Sequence, residues 1–249
     1  MLNNITVLHG FTGHPDDFEA LQECMPNFSL HGPVLFGHDS IRPSLSVTQA
    51  WDGTADEVGQ GLLPGSVLLG YSMGGRVALQ VAVRYPARIA ALILVGATPG
   101  IADPVQRASR RASDEALASR IETIPLGQFL SEWSQKPVIA SQHNIPAPHR
   151  SRMQARKRRL LPAGLAASLR GIGTGSMPSL WDCLPSVPTL LLTGEQDRKF
   201  TAIAARMATQ MRHADHHVVA GVGHCAHLEG ASAVAAAVER FLSGVSSLR

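Results

Sequence analysis

The chain has 249 residues, 45% hydrophobic and 16% charged. That is enough to bury a core in one large α/β domain and too apolar for wholesale disorder. No apolar run approaches the ~20 residues of a membrane span. Cys24, Cys183 and Cys225 are odd in number and lack metal-ligand spacing, which indicates a reducing, cytoplasmic setting. The net charge of +3 is uneven: residues 97–180 hold 12 Lys and Arg against 5 Asp and Glu, a local +7, while the rest of the chain is −4. The basic residues are mostly arginines among alanines, with few aromatics to stack on bases, so a small polyanionic substrate fits better than nucleic acid.

Taken in chain order, the first residues enter a strand with no signal-peptide pattern ahead of it. Ile5–Leu8 reads as that strand and ends in His9-Gly10-Phe11-Thr12-Gly13. Pro15–Met25 reads as a helix with Pro15 in its first turn. Val34–Phe36 reads as a short strand leading to Gly37-His38-Asp39-Ser40, and Thr48–Leu62 as a helix capped by Thr48. The apolar run Val67–Leu69 is a predicted buried strand, and Gly74–Tyr85 a helix with Val77, Val81 and Tyr85 at four-residue steps. Ile89–Val95 is another buried strand. This alternation predicts a mostly parallel sheet of about six strands with helices on both faces.

After Gly96 the pattern changes. No strand is evident from Ile101 to about Leu184, and helices are predicted near 104–121, 126–135, 149–159 and 163–170, punctuated by prolines. The expected division is a core of residues 1–96 and 186–249 with a helical cap inserted over 97–185. The sheet resumes at Thr189–Thr193, followed by a helix from about Thr201 to Met211. His216–Val219 is the last predicted strand and Ser232–Leu242 the last helix.

Gly70-Tyr71-Ser72-Met73-Gly74 lies between a strand and a helix and matches G-x-S-x-G, a turn sharp enough to hold its serine in a strained backbone. A nucleophilic or basic serine needs a histidine, and the histidine needs an orienting acid. Asp197 follows the strand Thr189–Thr193, with Glu195 as the rival acid. His224 follows His216–Val219, with His227 as the rival base. All candidates fall at the carboxyl ends of strands, where open α/β sheets place their sites. The backbone N–H groups of Phe11 and Met73 are the candidate oxyanion donors. His216 and His217 point to opposite faces of a strand. No metal site and no cofactor are expected.

His9-Gly10-Phe11-Thr12-Gly13, Gly70 to Arg76, Gly194-Glu195-Gln196-Asp197-Arg198-Lys199-Phe200 and Gly223 to Glu229 resemble the MenH family of menaquinone biosynthesis, within the α/β-hydrolase superfamily. So do Gln106 to Arg110, Trp133, Lys136-Pro137-Val138, Ser168 to Gly175 and Ser179-Leu180-Trp181 in the cap. The resemblance implies an α/β-hydrolase fold, and a lyase that eliminates pyruvate from a cyclohexene tricarboxylate. In it Ser72 serves as base, His224 takes the proton and Asp197 orients His224. It further implies substrate contacts from Tyr71, Arg76, Arg110, Trp133 and Lys199. One more cation is implied from the cap, Lys157 or Arg156 according to whether a gap is placed. The expected partner is a small polycarboxylate, and a monomer or weak oligomer is expected. Gly37-His38-Asp39-Ser40 departs from the commoner Gly-His-Gly-x-Ser, and Ser134 stands where some members carry Tyr. A carboxylesterase, thioesterase or C–C hydrolase is the alternative, and a non-catalytic binding protein on the same scaffold a second.

Overall fold

Alternation along the strands fixes both faces of the sheet. A computed structural model describes residues 2–39 and 46–247. Six strands, β1 (Asn4–Leu8), β2 (Ser29–His31), β3 (Ser66–Tyr71), β4 (Ile89–Val95), β5 (Thr189–Gly194) and β6 (Ala214–Val219), form one sheet in the order β2-β1-β3-β4-β5-β6. Every pairing is parallel. Ile5, Val7, Val67, Leu69, Ile93 and Leu192 face one layer, closed by the helices Glu19–Cys24 and Ala231–Ser247. Leu8, Leu68, Leu92, Leu94 and Leu191 face the other, closed by Ala50–Gly61, Met73–Arg84 and Arg198–Gln210. Both faces are dry, which is why β3, β4 and β5 read as unbroken apolar runs.

Two expectations are corrected. The strand beside β1 is Ser29–His31, not Val34–Phe36. Pro33 has no N–H for a ladder, and Leu35 and Phe36 are buried instead with Ala50 and Trp51. A Cβ on Gly32 would lie 1.8 Å from the Val7 carbonyl oxygen, so the chain can pass β1 there only as glycine. Thr48 does not cap a helix: it lies within a 3-10 turn, Val47–Gln49, and the α-helix begins at Ala50. The first helix likewise starts as a 3-10 turn at Pro15–Phe18. Ser40, the last residue of the expected loop motif, lies outside the described residues.

Between β4 and β5 run the helices Pro104–Thr123, Leu126–Ser134, Pro137–Ala140, Ala147–Lys157 and Pro162–Ile172. The four-residue helix Pro137–Ala140 and the 3-10 turn Ser141–Asn144 are too short to leave a periodic pattern, and the sequence reading missed them. This segment has its own apolar cluster around Ile121, Phe129 and Leu165, and Phe11 joins that cluster from the end of β1. One edge is anchored by apolar burial of Ile172 and Met177 beneath the sheet helices.

The other edge is held by charge. Arg156 meets Asp17 at 2.7 Å, with side chains 20% and 7% exposed, and Arg152 meets Glu19 at 2.8 Å nearer the surface. Burial pushes the Asp17 carboxyl up while the Arg156 guanidinium opposes it. Removing Arg156 would leave a buried carboxylate without its cation, so Arg156→Ala is expected to cost about 3 kcal/mol of stability. Arg152→Ala should cost under about 1 kcal/mol. Urea unfolding of both variants checks the contrast, and equal losses would contradict it. Among the described residues no helix is long and apolar enough to cross a membrane.

Candidate active site

The turn at Ser72 is built from its neighbours' lack of side chains. Ser72 has φ 51° and ψ −107°, a conformation an L residue adopts only under constraint. A Cβ on Gly70 would lie 2.5 Å from the Gly74 carbonyl oxygen, and one on Gly74 would lie 2.0 Å from that of Leu8. The Ser72 N–H donates to the Val95 carbonyl at 2.9 Å, tying the turn to β4. The hydroxyl therefore stands at the end of β3 with a helix N-terminus behind it.

The structure brings Asp197 and His224 to it. His224 Nε2 lies 2.9 Å from Ser72 Oγ, and His224 Nδ1 donates to Asp197 Oδ2 at 2.6 Å. The side chains of both His224 and Asp197 are buried. Gly96, at φ +57°, lets the ring in: a Cβ there would fall 2.8 Å from His224 Cε1. Neither rival takes a place in this chain. Glu195 Oε2 accepts from the Gly221 N–H at 2.9 Å on the surface. His227 lies on the short helix Ala226–Glu229, against Tyr71 and Phe18, where burial pushes it down to about 3.

A cavity of about 160 Å³ opens in front of Ser72 and His224. Phe11, Tyr71, Trp133 and Phe200 give it aromatic walls, and Arg76, Arg110 and Lys199 give it three cations. Met73 opens the helix after Ser72, so its N–H has no acceptor within that helix. A Cβ on Gly10 would fall 3.7 Å from Ser72 Cβ, so the loop carrying Phe11 runs directly beside the serine.

The cations are unequally paired. Arg76 is 8% exposed and donates to the Ile172 carbonyl at 2.9 Å. Burial, then the neighbouring Arg110, pushes it down to about 9 against the pull of Asp114. Arg110 Nε meets Asp114 Oδ1 at 2.8 Å, and Asp114 Oδ2 also accepts the Gly175 N–H. The Trp133 indole N–H is buried without a partner among the described residues.

Arg156 does not line this cavity and is held by Asp17 and Glu19. Lys157 is in an adjoining crevice with Tyr71 and Gln142, donating to Gln142 Oε1 at 3.0 Å, with burial lowering its pKa. Phe200, Thr98, Ser168 and Thr174 also line the cavity and were not singled out from sequence. Phe200 packs 4.5 Å from the His224 ring, centroid to centroid. Its place three residues after Asp197 was the available signal. Among the described residues no three His, Cys, Asp or Glu side chains cluster as a metal site.

A family model described as the alpha/beta hydrolase family matches residues 7–237. A Bacillus subtilis (strain 168) protein is 34% identical over 248 residues, 97% of this chain and 90% of its own, and is described provisionally as a 2-succinyl-6-hydroxy-2,4-cyclohexadiene-1-carboxylate synthase. A protein of Escherichia coli O1:K1 / APEC bearing that name outright is 33% identical over 247 residues, covering 96% of this chain and 93% of its own. The structure of MenH from S. aureus superposes with a TM-score of 0.89 at 29% identity, over 99% of this chain and 95% of that one.

Proposed function

The chain belongs to the alpha/beta hydrolase family, and from that premise we infer that it is a 2-succinyl-6-hydroxy-2,4-cyclohexadiene-1-carboxylate synthase, a carbon–oxygen lyase of menaquinone biosynthesis. The substrate in this reading is 2-succinyl-5-enolpyruvyl-6-hydroxy-3-cyclohexene-1-carboxylate, which carries three carboxylates. The observation that carries the assignment of the site is the pairing of a complete Ser72–His224–Asp197 chain with Arg76, Arg110 and Lys199 around one cavity. A hydrolase for neutral esters has no use for three cations there.

The reaction starts at the ring carbon next to the succinyl ketone. Ser72 Oγ removes its proton and passes its own to His224 Nε2, while Asp197 holds His224 Nδ1–H and stabilises the imidazolium. Negative charge moves to the ketone oxygen, where the N–H groups of Phe11 and Met73 receive it in this reading. The electrons return through the ring: a double bond forms at the deprotonated carbon, the existing one shifts, and the bond to the enolpyruvyl oxygen breaks. The enolate of pyruvate leaves and takes a proton on carbon. Arg76 and Arg110 hold carboxylates, and Lys199 the third, with Lys157 behind Tyr71. The inserted helices act as a cap over residues 97–185. We place the protein in the cytoplasm as a monomer or weak oligomer.

Incubation with the enzymatically generated tricarboxylate, followed by assay for pyruvate and the absorbance of the conjugated diene, tests the reading. Release of both in equal amounts is expected. Because Ser72 acts only as a base, intact-protein mass spectrometry during turnover should show no adduct. A covalent acyl–Ser72 species would instead favour the hydrolase reading.

A further inference from the structure

The loop that carries Phe11 is bracketed by two buried histidines that the reaction itself does not use. On one side, His9 Nδ1 donates to the Gly10 carbonyl at 2.8 Å, and His9 Nε2 accepts the Leu35 N–H at 3.0 Å. On the other, His38 Nε2 accepts the Thr12 N–H at 3.0 Å, and His38 Nδ1 donates to the Phe36 carbonyl at 3.2 Å. A carbonyl can only accept and an amide N–H can only donate, so each ring is a neutral imidazole with its proton on Nδ1. Burial pushes both below the ordinary histidine range, His38 to about 4.

Thr12 itself has φ 62°. A β-branched residue in the left-handed region is held there by its surroundings, and its N–H is the group His38 holds. Reversing that residue would swing the Phe11–Thr12 peptide and, through the Phe11 Cα that joins them, twist the preceding Gly10–Phe11 peptide, which carries the Phe11 N–H and whose Gly10 carbonyl accepts from His9 Nδ1 and from the Gly13 N–H at 3.0 Å. The His38 ring also packs edge-on against Phe11, with centroids 5.8 Å apart, and against His9 at 4.9 Å.

We propose that His38 is a positioning residue, which fixes the Thr12 peptide so that the Phe11 N–H points at the oxygen on which charge develops. This rests on reading Phe11 as an oxyanion donor. His38 is not among the residues that line the cavity. It acts by supplying an acceptor at one place, the position of Nε2, from the neighbouring loop. Misdirecting a donor weakens an interaction that is strong only in the transition state, so kcat should fall while ground-state binding is kept.

The test compares His38→Gln with His38→Asn. Glutamine can reach the Nε2 position with its amide oxygen and accept from Thr12; asparagine is a bond too short and can only replace the Nδ1 contact. His38→Gln is expected to keep kcat within about threefold of wild type. His38→Asn should lose about 10- to 100-fold in kcat, a fraction of the effect of deleting an oxyanion donor outright. In both variants KM, and the dissociation constant of the product, should stay within about threefold.

Circular dichroism and melting curves on both variants confirm that folded protein is compared. Loss confined to KM, an Asn variant as fast as wild type, or a Gln variant as slow as the Asn variant would each overturn the assignment. Ser72→Ala, run alongside, separates the two levels: a fully active serine variant would refute the reading of the site itself.

Discussion

Ser72→Ala, His224→Ala and Asp197→Ala are each expected to lower kcat by about 10⁴-fold or more, with double and triple variants little worse than the worst single one. The reason is geometric. Ser72 Oγ reaches His224 Nε2 at 2.9 Å and His224 Nδ1 reaches Asp197 at 2.6 Å, so the three are placed to move one proton as a unit. Without the serine the histidine has no relay to the ring carbon. Without the aspartate the imidazolium loses its buried counter-charge and its tautomer. Glu195→Ala is the control for the rival acid and should stay near wild type, because Glu195 is engaged by the Gly221 N–H. Single-turnover pyruvate release gives the numbers. A mild Asp197→Ala with a severe Glu195→Ala would reassign the acid, and near-wild-type Ser72→Ala would end the serine-base mechanism.

Arg76→Met should cost about 2–5 kcal/mol of kcat/KM, as expected when a desolvated charge pair with the substrate is broken. Arg76 is a buried cation that donates to a carbonyl and lies 5.7 Å from the Trp51 ring centroid, and its larger effect from a charged neighbour is repulsion from Arg110. A substrate carboxylate between the two arginines would relieve that repulsion. The free protein gains little from Arg76, so the melting temperature of Arg76→Met is expected to stay within about 4 °C of wild type. Product binding should raise the melting temperature of wild type and not of the variant. Lysine should restore only part of the activity, since it lacks the planar fork. Arg110→Ala reads less cleanly, because it also frees Asp114, which holds the Gly175 N–H. Loss of stability in Arg76→Met, or equal losses on the tricarboxylate and on a neutral ester, would make Arg76 a structural residue.

A third expectation concerns acid. His9, His38 and His227 are buried and held below the ordinary histidine range. In the unfolded chain they take up protons near pH 6.5, and in the folded protein only at much lower pH. The unfolded state therefore binds more protons as pH falls, and stability drops below about pH 6.5. The His38 contribution is complete only near pH 4 and amounts to about 3 kcal/mol. Denaturation midpoints at pH 7.5, 6 and 5 should decline in wild type and decline less in His38→Gln. Parallel slopes would remove His38 as a source.

The sequence alone determined five of the six strands and put Ser72, Asp197 and His224 at one edge of them. β3, β4 and β5 are buried on both faces, so only continuous apolar runs can form them, and such runs are visible without any partner. The Ser72 turn is visible for a related reason: a strand cannot reverse into a helix that sharply unless the flanking positions are glycine, and Gly70 and Gly74 mark it. Asp197 and His224 follow because strand ends in a parallel sheet share one edge.

What the tertiary structure decided lies where long-range contacts outweigh local pattern. β2 is a half-exposed edge strand of three residues, chosen by the glycine that lets it pass Val7 rather than by its own hydrophobicity. Arg156 and Lys157 are neighbours of like charge on one helix, and only the approach of Asp17 to one and Gln142 to the other separates them. Arg76 and Arg110 are 34 positions apart; that they repel each other across one cavity, with Asp114 paired to Arg110, is a property of how the inserted helices come to rest on the sheet. A side chain's charge is written in the sequence. What that charge faces is set by packing.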